Sequence, residues 1–203
     1  TSSRIFNKPT YDDVGDFVID ILIDASGSQG DRMGTIAIQA YILSQAITKA
    51  GIPLRVVSFW SEGRAQIMYE LRDYDEPISA NENCFEISLG QENRDGLAIR
   101  AMTEKLYKRP ESNKLLMVLS DGAPCHGGTE YVGTIALEDT CKEIREHRKR
   151  GSIDILGLYV GDSVTTLQRE KQMFGNDFVH IKKATSFAPQ VIRLLKEKIK
   201  DRG

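Results

Sequence analysis

The sequence predicts an α/β fold: a doubly wound, mostly parallel six-stranded sheet with helices on both faces. Three observations carry this. Short runs of Val, Ile and Leu alternate along the chain with longer segments whose apolar residues recur every three or four positions. The runs are nearly continuous in apolar residues, as strands covered on both faces must be. The length, 203 residues with 40% hydrophobic and 28% charged, suits one domain of this class with a sizeable core.

Residues 1–16 are polar, contain Pro9 and Gly15, and are expected to form a lead-in; residues 17–203 form the domain. "DFVIDILI" is the first strand. "DRMGTIAIQAYILSQAITKAG" follows as a helix with Met33, Ile36, Ala40, Leu43, Ile47 and Ala50 on one face, ended by Gly51. "LRVVSFW" is the second strand. "AQIMYEL" is the third, and the short "SEGR" link makes it an antiparallel edge. Residues 73–95 are polar and irregular. "GLAIRAMTEKLYKR" is a helix with Leu97, Ala101 and Leu106 inward. "KLLMVLS", "IDILGLYV" and "DFVHI" are strands four to six. Helices are expected from about Ile135 to Arg150, Thr166 to Phe174 and Phe187 to Lys200, the last with Val191, Leu195 and Ile199 on one side.

Such Rossmann-like sheets commonly take the order 3-2-1-4-5-6 and bind ligands outside the carboxyl ends of the strands, where the order reverses. Strands one and four then lie side by side. The first ends in "DASGS", with Asp24, Ser26 and Ser28; the fourth ends in "SDG", with Asp121; the loop "QENRDG" brings Asp95 to the same rim. Three carboxylates repel one another in one crevice. A hard divalent cation removes that cost, and an all-oxygen set suits Mg²⁺ best, with Mn²⁺ or Ca²⁺ also fitting. Each residue also has a plainer reading: a Ser or Asx turn at 24–28, a turn residue at Asp121, a helix cap at Asp95.

The remaining features exclude more than they assign. A formal net charge of -2 argues against nucleic acid and anionic membranes. No apolar run approaches the roughly 18 residues of a membrane helix, and the N-terminus does not read as a secretory leader. Three scattered cysteines fit a reducing, cytoplasmic setting. The chain opens on Thr1, which reads as a processed start or as a domain cut from a longer protein, and the second is expected. Cys125 and His126 read as a loop thiol and a solvated histidine, Cys141 as core, and residues 145–150 as a solvated helix end. Trp60 is either a partner anchor or a packed strand-end ring. Without a Walker A, G-x-G-x-x-G or G-x-S-x-G pattern, the expectation is a binding module and not an enzyme. A Mg²⁺-dependent phosphohydrolase using the same carboxylates is the alternative, although Ser26 stands where an aspartyl-phosphate enzyme would place a second Asp.

"DASGS" resembles the D-x-S-x-S signature of von Willebrand factor A (vWA) domains, and "SDGAP" resembles their later Asp-Gly turn. The resemblance runs from about Phe17 to Lys200. It implies a metal ion-dependent adhesion site (MIDAS) at Asp24, Ser26, Ser28 and Asp121, and a protein-binding module whose metal accepts a partner's Asp or Glu. The family usually draws a threonine from the middle loop; here "ENRDGLAIRA" offers Asp95. That form, with "MVLSDGAP", is similar to the A domains of the cobaltochelatase T subunit and of nitric-oxide-reductase activation proteins. This implies a bacterial parent protein working beside an AAA+ ATPase. With Asp95 ionised, three carboxylates against one dication leave the site near -1. Tighter cation binding and weaker attraction for acidic partners are therefore expected.

Overall fold

The computed structural model describes residues 16–181, together with Gln190, Val191, Arg193, Leu194 and Glu197. Six strands form one sheet in the order β3-β2-β1-β4-β5-β6. They are β1 (Phe17–Asp24), β2 (Leu54–Glu62), β3 (Ala65–Arg72), β4 (Asn113–Leu119), β5 (Asp154–Val160) and β6 (Phe178–Ile181). All neighbours pair in parallel except β2 and β3, which form the antiparallel edge. The predicted fold class and strand order therefore hold. The β2–β3 link is tighter than expected, because the strands continue to Glu62 and restart at Ala65.

Each strand face packs a different set of helices. Ile19, Ile21 and Ile23 meet Met33, Ile36, Leu43 and Ile47 of α1 (Met33–Lys49), with Val191 in the same cluster. Val18 and Leu22 meet α2 (Asp95–Tyr107), α3 (Gly133–Arg150) and α4 (Val164–Phe174) through Ile99, Met102, Ile144 and Phe174. This alternation fixes the register: a slip by one residue would turn each isoleucine of β1 to the wrong side. It also puts Asp20 and Asp24 on the α2 side of the sheet.

Three expectations need correction. The inward face of α2 is Ala98, Ile99, Met102 and Leu106, while Leu97 and Ala101 are only half-buried. The helix rotates because Asp95, in its first turn, is held inward. The segment 73–95 is not wholly irregular: Ile78–Glu86 form a 3-10 helix. It packs on α1 through the Tyr41 and Phe85 rings, 5.1 Å apart, and Asn81 Nδ2 donating to Thr48 Oγ1 at 3.0 Å. A further 3-10 helix, Gly27–Arg32, precedes α1. The lead-in lies outside the described residues except for Asp16, which accepts hydrogen bonds from the backbone and hydroxyl of Ser112. So does most of the expected last helix, although its five described residues are helical.

Candidate functional site

The parallel register of β1 and β4 pairs Ile23 with Leu119. The next residues, Asp24 and Ser120, therefore leave the sheet side by side. Asp24 is fully buried. Its Oδ1 accepts from Ser26 N at 2.9 Å, and its Oδ2 accepts from Gln29 Nε2 at 3.2 Å and Asn93 Nδ2 at 3.4 Å. Ser26 Oγ and Ser28 Oγ are 3.1 Å apart; Ser26 is buried and Ser28 faces solvent. The two hydroxyls thus run from solvent at Ser28 to the buried strand end at Ser26.

Asp95 is buried beside them and does not cap its helix: the N-cap position is Arg94. Its Oδ1 accepts from Asn93 Nδ2 at 2.8 Å and its Oδ2 from Ser120 Oγ at 3.2 Å. Asp121 closes the group from β4, with Oδ1 accepting from Ala123 N at 3.1 Å. All five expected site residues thus come to one edge. Burial, and then the Asp121 charge, push the Asp24 carboxyl up to about 6. Burial and the charges of Asp24 and Asp121 push Asp95 well above the usual carboxylate range. Among the described residues, no three His, Cys, Asp or Glu side chains stand grouped as a metal-holding set. The Asn93 amide lies between Asp24 and Asp95.

A short extended segment stitches the rim together. Gly90 N donates to Ala25 O, Gly27 N to Gln91 O, Ser61 N to Glu92 O, and Asn93 exchanges backbone hydrogen bonds with Cys125. Loops from β1, β2 and β4 are thereby joined. Gly90 is required here, because a Cβ at that position would lie 2.0 Å from the Trp60 ring. Trp60 is therefore the packed strand-end ring rather than a free anchor.

Four residues that the sequence reading did not single out belong to this neighbourhood. Gln29, Asn93 and Ser120 supply hydrogen bonds, as described. The fourth is Glu170 on α4, fully buried, with neither carboxylate oxygen hydrogen-bonded. Burial, then the charges of Asp95, Asp121 and Asp24, raise its carboxyl well above the usual range, opposed by Arg32. Nothing in "LQREKQ" distinguishes this glutamate from its solvated neighbours. His126 is also corrected. It is buried, with Nδ1 2.8 Å from Glu92 Oε2, though not aligned as a hydrogen bond. Within the basic run 145–150, His147 is buried between Thr103 and Tyr107. Cys125 is exposed and Cys141 buried, as expected.

The donors fit a hard cation: they are oxygens, and the Asp24 and Asp95 carboxylates are buried with the Asp121 charge acting on both. Three buried oxygens here, Gln29 Oε1 and both of Glu170, have no hydrogen-bond partner within the protein.

Comparison with known proteins places these features in context. A family profile described as the cobalamin biosynthesis protein CobT VWA domain matches residues 78–200. The uncharacterized protein YojO of Bacillus subtilis is 29% identical over 157 residues, covering 73% of this chain and 24% of that protein. Protein NorD of Brucella suis is 28% identical over 145 residues, 67% of this chain and 23% of that protein. The chain thus spans less than a quarter of the length of these relatives. In structure it resembles the vWF domain of the pilus tip protein Mfa5 from Porphyromonas gingivalis, with TM-score 0.70 and 10% identity over 89% of this chain and 94% of that one. The von Willebrand factor type A structure from Catenulispora acidiphila gives TM-score 0.58 and 16% identity over 89% and 42%. At these identities the structures speak to the fold alone.

Proposed function

The chain belongs to the family of the CobT VWA domain, and from that premise we propose that it is a cation-dependent protein-interaction module of a larger bacterial protein. The observation that carries the reading is the convergence of Asp24, Ser26, Ser28, Asp95 and Asp121 at one strand edge. In the proposed site Asp24 and the two serine hydroxyls hold Mg²⁺ directly, and Asp95 and Asp121 act through water. Mn²⁺ and Ca²⁺ fit the same oxygens. The cation supplies a Lewis-acidic contact for a partner's side chain; the protein's own residues position it and exclude water from its inner side.

The surroundings support a docking face. Leu89, Val132 and Val164 are 49%, 41% and 67% exposed. Leu89 lies against Gly30, Val132 ends the loop after β4 as the N-cap of α3, and Val164 is the first residue of α4, just after the β5 loop. Apolar side chains around a polar centre are the usual anatomy of a recognition patch. Among the described residues, no helix is long and apolar enough to cross a membrane. Resemblance to the CobT and NorD group motivates an AAA+ ATPase complex in the cytoplasm as the partner.

Isothermal titration with Mg²⁺ and Mn²⁺, paired with thermal unfolding, tests the reading. A cation that binds only the folded state raises the melting temperature, and Asp24→Ala should abolish both signals in a folded protein. A response that survives Asp24→Ala would place the ion elsewhere. Turnover of a generic phosphate ester, lost in Asp24→Ala, would favour the hydrolase alternative.

A further inference from the structure

We propose that Glu170 belongs to the cation site, accepting a hydrogen bond from the cation's bound water beside the turn that carries Asp121 and Gly122. The inference rests on the cation-binding reading above and extends it to a residue of α4. Three observations lead to it. Glu170 lies on the buried stripe of α4 with Thr166, Met173 and Phe174, where an apolar side chain would pack without penalty. It is 0% exposed, yet both Oε1 and Oε2 lack a hydrogen-bond donor. Such a group is rare in a folded protein and calls for an unseen partner.

The second observation is where the carboxylate sits. A Cβ built on Gly122 would lie 3.1 Å from Glu170 Oε1 and 3.2 Å from its Cγ. Glu170 therefore rests against the turn that carries Asp121. Gly122 N donates to Ser120 Oγ, which in turn donates to Asp95. Glu170 is thus close enough to the three aspartates for their charges to act on it.

The third observation is the glycine itself. Gly122 has φ +64°, in the left-handed region, and carries no side chain between Glu170 and the aspartates. Any side chain at this position would press on Glu170, so the glycine lets the unpartnered buried carboxylate lie directly against the turn that carries Asp121. Residues that hydrogen-bond to a cation's ligands tune its affinity without touching the metal. Glu170 would do so here, adding negative charge beside the aspartates that a bound cation offsets.

The test compares Mn²⁺ binding by the wild-type chain, Asp24→Ala and Glu170→Gln, read by calorimetry and by melting temperature. Glu170→Gln keeps the shape and removes the charge. It should weaken Mn²⁺ affinity about tenfold, and it should raise the melting temperature in chelator. Wild-type affinity in Glu170→Gln would overturn the proposal while leaving the cation site intact. Absence of Mn²⁺ binding by the wild type, or binding unaffected by Asp24→Ala, would remove the underlying site and the proposal with it. Should Glu170→Gln not fold, a Mn²⁺-soaked wild-type crystal decides the question. A metal-bound water within hydrogen-bond distance of Glu170 supports the proposal, and its absence overturns it.

Discussion

Asn93 donates its side-chain amide to Asp95 across 2.8 Å. The same nitrogen lies 3.4 Å from Asp24 Oδ2, and Asn93 Oδ1 accepts from Cys125 N at 3.0 Å. One side chain thus separates two buried carboxylates and fastens the β4 loop beside them. Asn93→Ala should cost about 1–3 kcal/mol through unmade hydrogen bonds to buried groups. The loss should be larger in chelator than in saturating Mg²⁺, because the cation takes over the screening. Urea unfolding in both buffers measures it.

Asp24 gives a pH signature. Its folded pKa, about 6, exceeds the ordinary aspartate value of 3.8. The folded state therefore holds this proton more tightly than the unfolded chain does. The stability it contributes is present below about pH 4 and is lost as pH rises through about 6. In chelator, the unfolding free energy of Asp24→Asn minus that of the wild type should grow across this window, by on the order of a few kcal/mol. The lowered carboxyls of Asp16, Glu111 and Glu143 act in the opposite sense, but they are common to both proteins and cancel in the difference.

Asp95→Thr tests the charge of the site. Removing one carboxylate should lower Mg²⁺ affinity about tenfold. In the cation-saturated protein it should raise affinity for acetate, whose charge the remaining groups repel less. Calorimetric titration of Mg²⁺, then of acetate, reads both. Unchanged values for both would reduce Asp95 to a hydrogen-bond acceptor of the loop.

The Asp20–Arg55 pair serves as a control away from the site. Both side chains are almost fully buried; Arg55 Nη2 also donates to Met102 O at 2.9 Å, and Tyr74 donates to Asp20 Oδ1 at 2.6 Å. Arg55→Leu leaves Asp20 charged and unpaired and should cost about 3–5 kcal/mol, while Asp20→Leu with Arg55→Leu should recover much of it. Neither protein should change its Mg²⁺ affinity once folded. A shift there would mean that the pair, two turns of pleat along β1 from Asp24, sets the geometry of the site.

The strand order was legible because each strand is a nearly unbroken apolar run, and the hairpin link marked the reversed edge. The aspartates were legible because they directly follow such runs. Other features escaped for physical reasons. The 3-10 helix at Ile78–Glu86 lacks the 3.6-residue period, and its inward residues include Asn81 and Cys84. The rotation of α2 depends on Asp95 pointing inward, which its apolar pattern alone does not reveal. Glu170 and His126 escaped because burial of a polar residue is a property of tertiary packing: "LQREKQ" and "PCHGG" read as solvated segments.

The stitched segment from Gly90 to Asn93 bears on how fast a partner can engage. Its backbone bonds to Ala25, Gly27, Ser61 and Cys125 hold three loops in place, and the Trp60 ring under Gly90 leaves no room for a side chain at that point. Docking on such a rim requires no prior folding of a loop. Encounter rates should then be governed by diffusion and orientation, at about 10⁵–10⁷ M⁻¹s⁻¹, and differences in affinity among partners should appear chiefly as differences in residence time.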